Sequence, residues 1–184
     1  MKKIIVPTRD QVSAGSQASF DLLKSRLGKV PNLYATMGYS EHALKAFLDL
    51  DATLSKGIFT AKEREAIALI VSEINGCAYC LAGHTVVAIL KGFTKEETLD
   101  IRRGKTSDDK LNAVIRLAAS INENKGNAGE TILTTFYEAG FDEGALMELV
   151  GLISMRVFTN YVFALTQIPV DFPPAEPINS IKTS

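Results

Sequence analysis

The chain has 184 residues, 46% of them apolar and 22% charged, and a formal net charge of -1, which is an ordinary globular composition. Folding at this length buries roughly 70% of the unfolded surface, so a single domain over 1–184 needs neither a metal nor a disulfide for its core. Basic and acidic residues are mixed without a basic tract, which excludes the electrostatic grip that nucleic acid demands.

The segment 1–15 reads as extended, with SAGS as a loose stretch. Phe20, Leu23 and Leu27 then fall at helical spacing over 16–27, ended by Gly28 and Pro31. PNLYATMG suits one short turn of helix, and Ser40 opens a helix to about Ser55. Thr60 and Glu63 form a capping box for a helix that ends near Ile74. Its middle, Ala66 to Val71, is apolar all round and therefore buried. Asn75-Gly76 makes a corner into a second helix, from about Ala78 to Leu90. Thr94 and Glu97 form another capping box, Ser107 or Asp108 caps the next helix, and NENKGNAGE reads as a loop. TILTTFYEA is a short helix, and Asp142 caps a long apolar one to about Leu165. Residues 169–184, rich in proline, read as an irregular tail. The fold class is all-α, about seven helices arranged as hairpins. The apolar excess of 143–165 suits either a central core helix or, with the helix of the 40s, a contact between subunits. The aromatics Phe136, Tyr137, Phe158, Tyr161 and Phe163 are expected in the core.

Lys2 and Lys3 precede too short an apolar stretch for a signal peptide, and no run nears the ~18 uninterrupted apolar residues of a membrane span. The expected location is the cytoplasm. The two cysteines are too close together to staple a fold, which suits an active thiol pair in a reducing compartment.

That pair carries the chemistry. In NGCAYCLAGH, Cys77 and Cys80 are three apart and His84 follows Cys80 by four, so the three share one stripe of a helix. The helix N-terminus favours a thiolate, and His84 can accept or donate its proton. One cysteine can attack and the other can close the disulfide. The competing readings are two inert buried cysteines and a metal site, for which C-x-x-C-x-x-x-H offers three ligands. Folding the two helices back at Asn75-Gly76 sets His84 level with Ala68, within one turn of Glu65. Glu65 is thus the candidate carboxylate, with Ser72 as a polar neighbour. Glu73 sits too near the corner. Tyr79 either covers the thiols or packs in the core, and Asn160 either bridges helices or lines the pocket. His42, Lys62 and Arg64 read as ordinary surface or packing residues.

The hairpin TAKEREAIALIVSEINGCAYCLAGH resembles the carboxymuconolactone decarboxylase and AhpD alkylhydroperoxidase superfamily, on its peroxidase-related branch. PNLYATMGYSEHALKAFLDL resembles the lead-in helices of that branch, and GFDEGALMELVGLISMRVFTNYVFALTQIPVDFP its closing helix and tail. The resemblance implies an AhpD-like helical fold, a homo-oligomer and a thiol peroxidase. It implies Cys80 as peroxidatic thiol, Cys77 as the more exposed resolving thiol, and Glu65 with His84 as proton relay. It implies a small peroxide as substrate and a dithiol or lipoyl protein as reductant. The chain departs from the AhpD members at Tyr79, where they carry a histidine. Retention of both cysteines argues against decarboxylation. Spacing also favours Cys80 as the attacking thiol, because His84 is one turn from it and two from Cys77. The expected function is a peroxide reductase that needs no cofactor and no metal. The alternatives are a protein or lipoyl disulfide reductase and a non-enzymatic oligomeric scaffold.

Overall fold

The computed structural model describes residues 3–178. Among them are nine α-helices and one short 3-10 turn, Arg9–Gln11, with no strand. The helices are α1 Ala14–Leu27, α2 Asn32–Met37, α3 Glu41–Leu54, α4 Ala61–Ile74 and α5 Ala78–Leu90. They continue as α6 Lys95–Arg102, α7 Asp109–Glu123, α8 Glu130–Glu138 and α9 Glu143–Thr166. The all-α expectation is borne out, with two more helices than the seven expected. The N-terminal segment differs in detail. Ser13 caps α1 by accepting from Ser16 N, so most of SAGS is helical, and Arg9 holds the preceding turn through a bidentate pair with Asp21. Asn122 and Glu123 belong to α7 rather than to the loop. Met1, Lys2 and the end of the expected tail, 179–184, lie outside the described residues.

Local chemistry fixes the helix starts. Thr60 accepts from Glu63 N while the Glu63 carboxylate accepts from Thr60 N at 2.7 Å, closing the box expected at α4. The same reciprocal pair forms at Thr94 and Glu97, and Asp108 and Asp142 cap α7 and α9. Each cap satisfies N–H groups that the first helical turn leaves unpaired.

α4 is the hub. It packs against α5, α6, α7 and α9, and Ala66 through Ser72 are buried, which is why its middle is apolar on every side. α9 is long and apolar enough to cross a membrane by length and composition. In this structure it packs instead against α2, α3, α4, α5 and α7. It is only partly a core helix. Phe136 and Phe163 are buried as expected, but Phe158 and Tyr161 are exposed, together with Met147, Val150 and Leu165. These five lie along one stripe of α9 at helical spacing.

The corner between α4 and α5 sets the site. Gly76 has φ +62, with open space where a Cβ would stand, so the left-handed backbone is what reserves this position for glycine. Asn75 is tied by its side chain to Asn160 at 2.8 Å and to Asn122 at 3.0 Å. Asn160 also donates to Ser72 at 3.3 Å. Asn160 therefore bridges helices, and Ser72 serves this amide cluster.

Candidate active site

Cys77 is the N-cap residue of α5, and its Sγ accepts from Cys80 N at 3.3 Å. The two cysteines are joined by a disulfide, with Cα atoms 5.3 Å apart. A thiolate formed at this helix end would meet unpaired N–H groups and the positive end of the helix dipole.

One expectation fails here. Cys77 was to be the more exposed thiol, yet it is 2% exposed and Cys80 4%. Gly76 and Ala78 on either side are exposed, but Cys77 turns inward. Leu33, Phe163 and Ile168 share its apolar cluster, with Val6 and Phe172 packed against it. The chain segments that cover it lie far from the corner in sequence, so corner position alone could not foretell its burial.

Glu65 and His84 meet as the folded-back hairpin requires. His84 Nδ1 lies 2.7 Å from Glu65 Oε2, and both side chains are largely buried. Burial alone would raise the Glu65 carboxyl. The His84 charge and hydrogen bond, with help from Arg156 and Arg64, outweigh it and hold the carboxyl below its ordinary value. A carboxylate can only accept, so Nδ1 carries the proton and donates it, leaving Nε2 for the pocket. Glu73 is spent elsewhere, accepting from Arg102 Nε at 2.7 Å. Arg64 is not merely solvated: it donates to the Phe59 carbonyl at 2.7 Å. His42 is exposed.

Cys80 and His84 line a cavity of about 310 Å³, whereas Cys77 does not. Its walls are mostly apolar: Leu27, Leu33, Val86, Val87, Leu90 and Phe172. Tyr34, Arg156 and Thr159 add polar groups. Thr159 Oγ1 stands 4.0 Å from Cys80 Sγ and donates to the Arg156 carbonyl at 2.8 Å. Burial pushes the Tyr34 phenol up to about 12, with Arg156 acting against it, so it stays a neutral donor.

Tyr79 proves to be a core aromatic with a polar task. Its ring packs at 5.7 Å on both Phe163 and Phe172. Its hydroxyl donates to Asp171 at 2.5 Å and accepts from Leu33 N at 3.1 Å. Burial, then the Asp171 hydrogen bond, push this phenol well up. Lys29 Nζ donates to Asp171 at 2.9 Å, pinning the tail from the other side.

Sequence reasoning missed Arg156, Thr159, Tyr34 and Asp171. For Arg156 a signal existed, a lone cation inside the apolar run LISMRVFTNYVFAL. Asp171 carried none, because its partner Tyr79 is 92 residues away.

Among the described residues, no three His, Cys, Asp or Glu side chains gather as a metal site. An all-helical scaffold that sets a C-x-x-C disulfide at a helix start, beside a Glu–His pair and an apolar cavity, defines a redox-active helical thiol protein. Residues 41–123 match the carboxymuconolactone decarboxylase family. No curated protein matches. Among solved structures, the debrominase Bmp8 bound to 2,3,4-tribromopyrrole is 18% identical, with TM-score 0.78 over 93% of this chain and 92% of that one. A peroxidase-related protein from Silicibacter sp. TM1040 is 21% identical, with TM-score 0.76 over 97% and 96%. One with an alkylhydroperoxidase AhpD core, from Ralstonia eutropha JMP134, is 18% identical, with TM-score 0.79 over 95% and 94%. At such identities the likeness is one of fold.

Proposed function

We propose that the protein is a thiol peroxidase, with Cys80 as the attacking thiol, Cys77 as the resolving thiol and Glu65–His84 as the proton relay. The observation that carries this is the cavity, which reaches Cys80 and His84 and leaves Cys77 behind. In the reduced protein, His84 Nε2 takes the Cys80 proton, and Glu65 stabilises the imidazolium. The thiolate attacks the distal peroxide oxygen, the O–O bond breaks, and Cys80 becomes a sulfenic acid. His84 returns its proton to the departing alkoxide, giving the alcohol. The Cys77 thiol then displaces water from the sulfenic acid, closing the disulfide. A dithiol or lipoyl protein restores both thiols by exchange, a cycle suited to the cytoplasm. A homo-oligomer would cover the apolar stripe of α9.

The test combines rapid oxidation with trapping. Reduced protein is mixed with one equivalent of an organic hydroperoxide, and thiols and sulfenic acid are quantified by mass spectrometry. Cys77→Ser is expected to accumulate sulfenic acid at Cys80, and Cys80→Ser to stay unlabelled. Labelling of Cys77 alone would reverse the roles. Slow oxidation by peroxide with fast exchange against lipoyl or protein disulfides would make the protein a disulfide reductase. Thiols inert to both would leave a scaffold. A second reading, reductive dehalogenation of a small aromatic ring, draws on the name of one structural neighbour and on the apolar cavity walls. Consumption of a brominated pyrrole by reduced protein that ignores peroxide would put it first.

A further inference from the structure

Arg156 is a buried guanidinium, 5% exposed, in the wall of a mainly apolar cavity. Such a charge is costly to bury unless it is paired and hydrogen-bonded. Its pairing here is poor. Nη2 lies 3.7 Å from Asp51 Oδ1, and the Asp51 side chain is 49% exposed. Its Nε is sealed from solvent and has no hydrogen-bond partner among the described residues. Glu65, whose carboxylate also feels the Arg156 charge, is hydrogen-bonded to His84, and Lys29 is paired with Asp171. A structural arginine of this depth would normally saturate its donors. Arg156 thus brings an incompletely paired guanidinium to the cavity wall, and a guanidinium pairs strongly with a carboxylate.

Position in the cavity gives this guanidinium a meaning. Arg156 and Thr159 stand one turn apart on α9, and Thr159 is beside the Cys80 sulfur. Side chains on a helix lean toward its N-terminus, so the guanidinium is carried away from Cys80 and toward α3, where Asp51 sits. A ligand could therefore reach both ends, one at Cys80 and His84 and the other at Arg156, with its body against the apolar walls. The volume of about 310 Å³ lies at the lower end of the ~300–1,000 Å³ seen for small-molecule sites. That size suits one ring or a short branched chain.

The geometry points to a monocarboxylate as the ligand class: a small apolar organic acid whose carboxylate pairs with the Arg156 guanidinium in the cavity wall. This rests on the thiol peroxidase reading for its reactive end, so the substrate is an organic hydroperoxide that also bears a carboxylate. Hydrogen peroxide would leave both the walls and Arg156 unused.

Binding can be measured without any peroxide chemistry, so failure of the peroxidase reading leaves the result readable. The disulfide form of the whole chain is titrated calorimetrically with 4-isopropylbenzoate and with its neutral isostere 4-isopropylbenzamide. The benzoate is expected to bind at least tenfold more tightly. Arg156→Gln is expected to erase that preference, and Arg156→Lys, a point charge without the planar guanidinium, to keep only part of it. The wild-type comparison stands even if a variant folds poorly. Equal binding of the two probes, no benzoate binding at millimolar concentration, or a full preference surviving in a folded Arg156→Gln protein would each overturn the assignment.

Discussion

Replacing Glu65 by Gln tests the relay with little change of shape. The amide oxygen can still accept the His84 Nδ1 proton across the 2.7 Å contact, but the negative charge is gone. Hydrogen bonds to charged groups contribute about 1.5–3 kcal/mol and neutral ones about 0.5–1.5. The imidazolium formed when His84 takes the Cys80 proton therefore loses about 1–1.5 kcal/mol of stabilisation. At ~1.36 kcal/mol per tenfold in rate, oxidation of reduced protein at neutral pH should slow about tenfold. Glu65→Ala removes the acceptor as well and should approach the ~100-fold or greater loss typical of a missing acid–base partner. The assay is rapid-quench alkylation of the remaining thiols after mixing with an organic hydroperoxide, with thermal melting as the folding control. The tyrosines serve poorly as an optical signal, and the chain has no tryptophan. If folded Glu65→Gln reacts within twofold of wild type, the pair is structural and the relay is wrong.

Tyr79→Phe deletes the hydroxyl that donates to Asp171 and accepts from Leu33 N. At about 2 kcal/mol for a hydrogen bond to a carboxylate, the melting temperature should drop by roughly 4–8 °C. Reduction of the buried disulfide by a bulky dithiol protein should become faster, and an unchanged reduction rate would show that the tail does not restrict access to Cys77. Glu65 is held below its ordinary carboxyl value by His84 against its burial, and Asp171 by Lys29 and Tyr79 against its own. A depressed carboxyl stabilises the fold above its unfolded value, about 4, and that contribution disappears as pH falls through the folded value. Melting temperature should therefore decline between pH 6 and pH 3, less steeply in Glu65→Gln; a flat profile would contradict these shifts. Sedimentation should give a multiple of 19.9 kDa, and Tyr161→Glu with Leu165→Glu, at positions 65% and 78% exposed, should dissociate it. A wild-type mass near 19.9 kDa would refute the assembly.

Local signals in the sequence determined the elements and half of the site. Capping boxes at Thr60 and Thr94, a left-handed glycine at the corner and a continuous apolar stretch in α4 are short-range effects, so they could be read directly. The meeting of Glu65 and His84 was legible for the same reason. Two helices joined by a tight corner have a register fixed by counting residues from it. Burial of Cys77 was not legible, because its cover comes from Ile168, Phe163, Leu33 and Val6, brought together only by the packing of α9, its tail and the N-terminal segment. Exposure of Phe158 and Tyr161 followed from the angular position of α9 on α3 and α4, which apolar composition does not specify. Tertiary structure likewise decided that Arg156, a lone cation in an apolar helix, would face the cavity that opens on Cys80. Helical periodicity places such a residue on a face of its own helix, and only packing decides what that face meets.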